Sequence, residues 1–179
     1  MTLSPQDATA ALRDIDAAQA RSATLRGYQR AAPHFLIWGV VWAVGYGLCD
    51  AFPRHANAIW AVLVPIGLAA GFLASRGGKP LFAWRYGAIA LAMLAFFAAT
   101  FFVMAPVAGR QIAAFIPLFV ALTYVLAGIF LGPRYIVAGL VVAAAALSGF
   151  VFLHDHFSLW MAAVGGGALI LAGLWMRKV

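Results

Sequence analysis

Six apolar runs dominate the chain, at residues 34–52, 58–75, 83–104, 112–131, 135–153 and 157–176. Each is close to the ~20 residues that carry an α-helix across a hydrocarbon core. Tilting or local thinning of the bilayer absorbs the shortfall of the shorter ones. The breaks between them are brief: Pro53-Arg54-His55, Arg76-Gly77-Gly78-Lys79-Pro80, Ala105-Pro106 to Arg110, Gly132-Pro133-Arg134 and His154-Asp155-His156. In lipid a spanning segment must satisfy its own backbone hydrogen bonds, and runs of this length do so as helices. Composition agrees. The chain is 65% hydrophobic and 9% charged, whereas soluble domains carry about 25% charged residues. The expected fold is all-α: a polytopic membrane protein with a six-transmembrane-helix bundle.

Charge placement tests the span count. With six spans, one side of the membrane holds Arg13, Arg21, Arg26, Arg30, Arg76, Lys79, Arg85, Arg134, Arg177 and Lys178. The other side holds Arg54 and Arg110. The positive-inside rule then places both termini in the cytoplasm. The net charge of +7 is read as a topology signal, so no nucleic-acid partner is expected. Arginine outnumbers lysine, alanine is abundant and glutamate is absent. That composition suggests a GC-rich bacterium, and the expected location is the bacterial inner membrane.

The long polar segment lies at the start. Residues 1–32 are expected to form a cytoplasmic amphipathic helical arm, and residues 33–179 the bundle. Ser4-Pro5-Gln6-Asp7 is a good helix start, with Ser4 as cap and Pro5 at the first helical position. Gly27 is expected to weaken the far end. On a helical wheel Leu12, Ile15, Ala18, Ser22 and Leu25 share one stripe with Ala8 and Ala11. A membrane-surface helix favours bulky anchors and a strongly basic opposite face. This stripe is alanine-rich and the arm nearly neutral, which suits docking, on its own bundle or on a partner. The expected partners are the lipid bilayer and either a second copy or another membrane protein.

Small residues mark helix contacts. Gly67 and Gly71 form a GxxxG pair, as do Gly128 and Gly132, and Gly165-Gly166-Gly167 gives the last span a flat face. Such faces let backbones approach closely where lipid removes the hydrophobic drive to associate. Pro65 and Pro117 are expected to bend or loosen the second and fourth spans. Trp38, Trp60, Trp84, Trp160 and Trp175 fall near span ends, where an indole N–H meets the interface.

Chemistry is sparse. No Asp, Glu, Lys or Arg is expected at mid-bilayer, where a proton-coupled carrier normally needs one. Ala146-Leu147-Ser148-Gly149 lacks the first glycine of a GxSG motif and a histidine base. Nothing pairs two carboxylates for acid–base work. The outer edge is richer: Cys49, Asp50 and His55 surround the first outer turn, and His154, Asp155 and His156 form the last. Thiolate, imidazole and carboxylate suit zinc or copper, if the two turns meet. The same histidines are candidate axial haem ligands. The bland alternative is a wet turn, and no cofactor is expected. Three functional readings follow. The first is a non-enzymatic protein acting by protein–protein contact, as an accessory or assembly subunit or a membrane-tethered regulator. The second is a small-solute transporter or channel. The third is a metal- or haem-binding protein at the periplasmic face.

Overall fold

The computed structural model describes residues 5–75, 83–104 and 108–178, with side chains from residue 9 in the first segment and from residue 91 in the second. The expected cap Ser4 and the loop cations Arg76 and Lys79 lie outside these residues, as does the side chain of Arg85. The described chain is all-helical: α1 Pro5–Ala51, a 3₁₀ turn Pro53–His55, α2 Ala56–Ala74, α3 Ala83–Val103, α4 Gly109–Leu131 and α5 Pro133–Phe152. The last helix, α6, runs Phe157–Arg177 and contains a π-helical segment, Met161–Gly166. Five helices are long and apolar enough to cross a membrane: α1, α4, α5, α6 and α2 with its preceding turn. In α3 the apolar stretch with described side chains is Leu91–Val103.

α1 differs from the expected layout in one respect. It is a single helix of 47 residues that passes through Gly27 and Pro33 without a break. Its buried seam is Tyr28, Ala32, Phe35, Gly39, Trp42, Tyr46 and Cys49. The spacing alternates four and three residues, the rhythm that keeps one face toward a neighbouring helix. Against this seam stands α6. A Cβ on Gly39 would meet the Gly166 carbonyl at 3.0 Å, and one on Gly173 would meet the Ala32 carbonyl at 3.1 Å. The backbones are therefore nearly in contact.

α4 and α5 pair in the same way. A Cβ on Gly139 would stand 2.6 Å from the Ala121 carbonyl. Gly128 faces Tyr135 and Ile136. Aromatic rings join this pair to α1: Phe35 stacks on Tyr124 with centroids 4.7 Å apart and meets Tyr135 edge-on at 5.7 Å. The core is thus built from α1, α4, α5 and α6. α2 docks on the outside of α1, where Gly67 faces Trp38 and Val41. α3 docks on α4 through phenylalanines, with Phe96 and Phe97 each 5.0 Å from Phe119. Outward side chains are apolar. Phe102, Phe130 and Phe152 are 85%, 87% and 78% exposed, which suits lipid and not water.

Pro117 explains one cross-link. A proline has no N–H, so the carbonyl four residues earlier loses its helical partner. That carbonyl belongs to Ala113, and it accepts the Tyr46 hydroxyl of α1 at 2.8 Å. A neighbouring helix supplies the donor that the proline removed, as lipid requires. Tyr46 sits among Trp42, Trp60 and Phe157, so its position is fixed. Tyr46→Phe is expected to leave the ring packed and the carbonyl orphaned, at a cost of about 1–3 kcal/mol. Thermal unfolding of the purified variant checks this, and an unchanged midpoint would show that the carbonyl finds another donor.

Candidate functional site

In and beside the turns Pro53–His55 and His154–His156 the candidate ligands differ in burial. His55 lies in the 3₁₀ turn and is exposed, as is Asp50 at the end of α1. His154, Asp155 and His156 are exposed in the turn between α5 and α6. Cys49 is buried in the α1 seam, beside Trp60. Among the described residues no three of His, Cys, Asp and Glu are grouped to hold a metal ion. The turn nevertheless has a structural neighbour: Trp160, just inside it, donates its indole N–H to the Ala145 carbonyl at 2.8 Å. That N–H is bonded within the bundle.

Two hydroxyls within the helices are bonded locally. Thr123 Oγ1 donates to the Val120 carbonyl at 2.7 Å, and Ser148 Oγ to the Ala145 carbonyl at 3.2 Å. Bonds of this kind inside one helix leave no activated nucleophile. Two concavities mark the described surface. One, of about 120 Å³, is lined by Phe101, Met104, Gln111 and Phe115. The other, of about 380 Å³, lies between α1 and α2 and has no polar surface.

At the basic edge three helix ends are tied together by Arg134. Its Nη1 donates to the Trp175 carbonyl at 2.7 Å, in the last turn of α6, where carbonyls lack helical partners and a cation is favoured. The guanidinium stands 4.8 Å from the Trp175 ring centroid and 5.1 Å from that of Tyr28. The Arg134 backbone N–H donates to Tyr28 Oη at 3.4 Å. Gly132, just before, adopts φ +118°. Its Cα faces the Tyr28 hydroxyl and the Thr24 methyl. α1 is therefore held to the α4–α5 turn from about Thr24 onward.

Every residue from 9 to 23 is exposed. Leu12, Ile15 and Leu25 are 61%, 51% and 42% exposed, and Ala18 and Ser22 are exposed with them. From Ala11 to Leu25 every stripe residue is exposed. Among the small residues, Gly67, Gly71, Gly128, Gly132, Gly165 and Gly166 each face a side chain or backbone of this same chain, whereas a Cβ on Gly167 would meet nothing within 4 Å.

One polar pair was not anticipated. His34 Nε2 lies 2.9 Å from Ser75 Oγ, and Ser75 Oγ donates to the Gly71 carbonyl at 2.9 Å. A hydroxyl has one proton, so with that proton on Gly71 the imidazole Nε2–H is the donor to Ser75. The signal was present in the sequence. Gly71 and Ser75 are one turn apart in "GFLAS", so a serine beside a helix end sits over a glycine gap wide enough for a ring.

Taken together, the described chain is a helical bundle, and five of its helices have the length and apolarity to span a membrane. In comparisons with family models, curated proteins and solved structures, no match was found.

Proposed function

We propose that the chain is a non-enzymatic, six-span protein of a bacterial inner membrane that acts through protein–protein contact, as an accessory or assembly subunit or a membrane-tethered regulator. α3 supplies the sixth span. Its 21 residues reach about 31 Å at the α-helical rise, which matches a hydrocarbon core. Both termini lie in the cytoplasm, because this arrangement puts ten of the twelve cations on one side.

The observation that carries the contact reading is the exposed arm. A helix continuous with a membrane span runs about 28 Å beyond its last support, with Leu12 and Ile15 turned to solvent. Isolated helices of this length are marginal in water, and most helical stability comes from packing of an apolar face. The arm is therefore read as a docking element, for a second copy or another membrane protein. No polar surface lines the α1–α2 groove, which gives the transporter reading no water path there.

The test is the mass of the complex extracted in mild detergent, with chemical crosslinking in the membrane beforehand. Leu12→Asp with Ile15→Asp is expected to weaken the complex at least tenfold while leaving bundle melting unchanged. A stable monomer with no crosslinked partner in the wild type would overturn the reading.

A further inference from the structure

The α1–α2 groove has a polar head. α1 and α2 lie side by side in opposite directions: Gly71 faces His34, Gly67 faces Trp38 and Val41, and Gly45 faces Trp60. The groove of about 380 Å³ is lined by Ile37, Val40, Val41, Ile66, Gly67 and Ala70, among others, and no polar surface contributes. Gly67 and Ala70 keep the α2 wall low. Ile66 and Val40 form exposed lips, each 54% accessible.

Directly beyond the groove, toward the basic edge, lies the His34–Ser75 pair. From His34 to Ile37 is three residues, about 4.5 Å along the helix. Arg30 and Arg26 precede His34 by four and eight residues, so they stand one and two turns farther out on the same side of α1. Both arginines are exposed and His34 is half-buried. Reading outward, the surface passes from a wholly apolar trench to an imidazole and a hydroxyl, then to two guanidiniums.

We propose that this is a binding site for an anionic phospholipid. One acyl chain lies in the groove, and the phosphate meets Arg30 and His34, with Ser75 beside them. Charge and polarity select the occupant. Arginine suits phosphate through its fork of N–H donors, and an apolar groove in a membrane helix pair suits an alkyl chain. The α1 face of a second copy is a poorer fit, because a two-fold contact there would set Arg26 and Arg30 against their own copies. This assignment rests on α1 and α2 spanning the membrane and is independent of what the arm docks on.

Native mass spectrometry of the full chain, released from detergent with added phosphatidylglycerol or phosphatidylcholine of the same acyl chains, tests it. Phosphatidylglycerol adducts are expected to exceed phosphatidylcholine adducts at least fivefold. Arg26→Ala with Arg30→Ala is expected to abolish that preference. Ala70→Phe, which fills the groove and leaves the charges in place, is expected to lower phosphatidylglycerol adducts at least fivefold, and Val40→Trp on the exposed lip serves if the first variant does not fold. Lys178→Ala, at the other end of the chain, is expected to bind as the wild type does. Equal binding of the two lipids overturns the proposal, as does undiminished binding to a folded groove-filled variant. A change in oligomeric mass on filling the groove, with lipid adducts intact, assigns the groove to a chain–chain interface and also overturns it. The arm variants Leu12→Asp and Ile15→Asp are expected to leave lipid binding alone, so failure of the contact reading and failure of the lipid site are separable.

Discussion

Gly132→Ala is expected to destabilise the bundle by about 3 kcal/mol, read as a lowered midpoint of thermal unfolding in detergent. Two causes add. The backbone there has φ +118° and ψ 161°, a region that is essentially glycine's alone and costs other residues about 1–3 kcal/mol. A methyl group at Gly132 would also collide with the Tyr28 hydroxyl. That hydroxyl accepts the Arg134 N–H, and the Tyr28 ring carries the Arg134 guanidinium. Displacing Tyr28 therefore loosens three helix ends at once. Adding Tyr28→Phe removes the colliding oxygen but not the backbone strain, so the double variant is expected to recover part of the loss. A Gly132→Ala protein that melts with the wild type would show that the turn adopts another conformation at no cost.

The second large effect separates two adjacent glycines. A Cβ at Gly166 would stand 2.8 Å from the Ala43 nitrogen and 3.0 Å from its Cα. Backbone cannot swing aside as a side chain does, so α1 and α6 must part. Gly166→Val is expected to cost about 3 kcal/mol, the upper range for overpacking. Gly167→Val meets open space and is expected to stay within about 0.5 kcal/mol of the wild type. Parallel unfolding curves of the two variants check both. Equal melting would mean that the two backbones are farther apart than 2.8–3.0 Å implies.

Much of the architecture was legible because lipid allows few solutions. Apolar runs of bilayer length had to be helices, and run 112–131 lies within Gly109–Leu131, as run 157–176 lies within Phe157–Arg177. What hydropathy does not encode is pairing. The Pro117 kink was visible, but the donor that completes it, Tyr46, is 67 residues from the carbonyl it meets. The π-helical segment Met161–Gly166 packs Gly165 and Gly166 against Trp42 and Ala43 of α1, a pairing that no local pattern records. Gly27 was expected to weaken the far end of the arm. Instead the helix passes through it and through Pro33, with Tyr28, Ala32 and Phe35 buried in one seam. A metal site depended on the two turns meeting, which residue types alone do not tell. Cys49 is buried, His55, His154 and His156 are exposed, and among the described residues no three such ligands are grouped.

The 47-residue length of α1 has a mechanical consequence. The same unbroken rod forms the middle of the bundle and the whole of the arm, with its last bearing near Thr24 and Gly132. Whatever tilts the rod inside the membrane swings its far end. A 10° tilt about that bearing moves a tip about 28 Å away by about 5 Å, given the rise of an α-helix. A partner held by Leu12 and Ile15 would therefore ride on the same rod that packs inside the bundle.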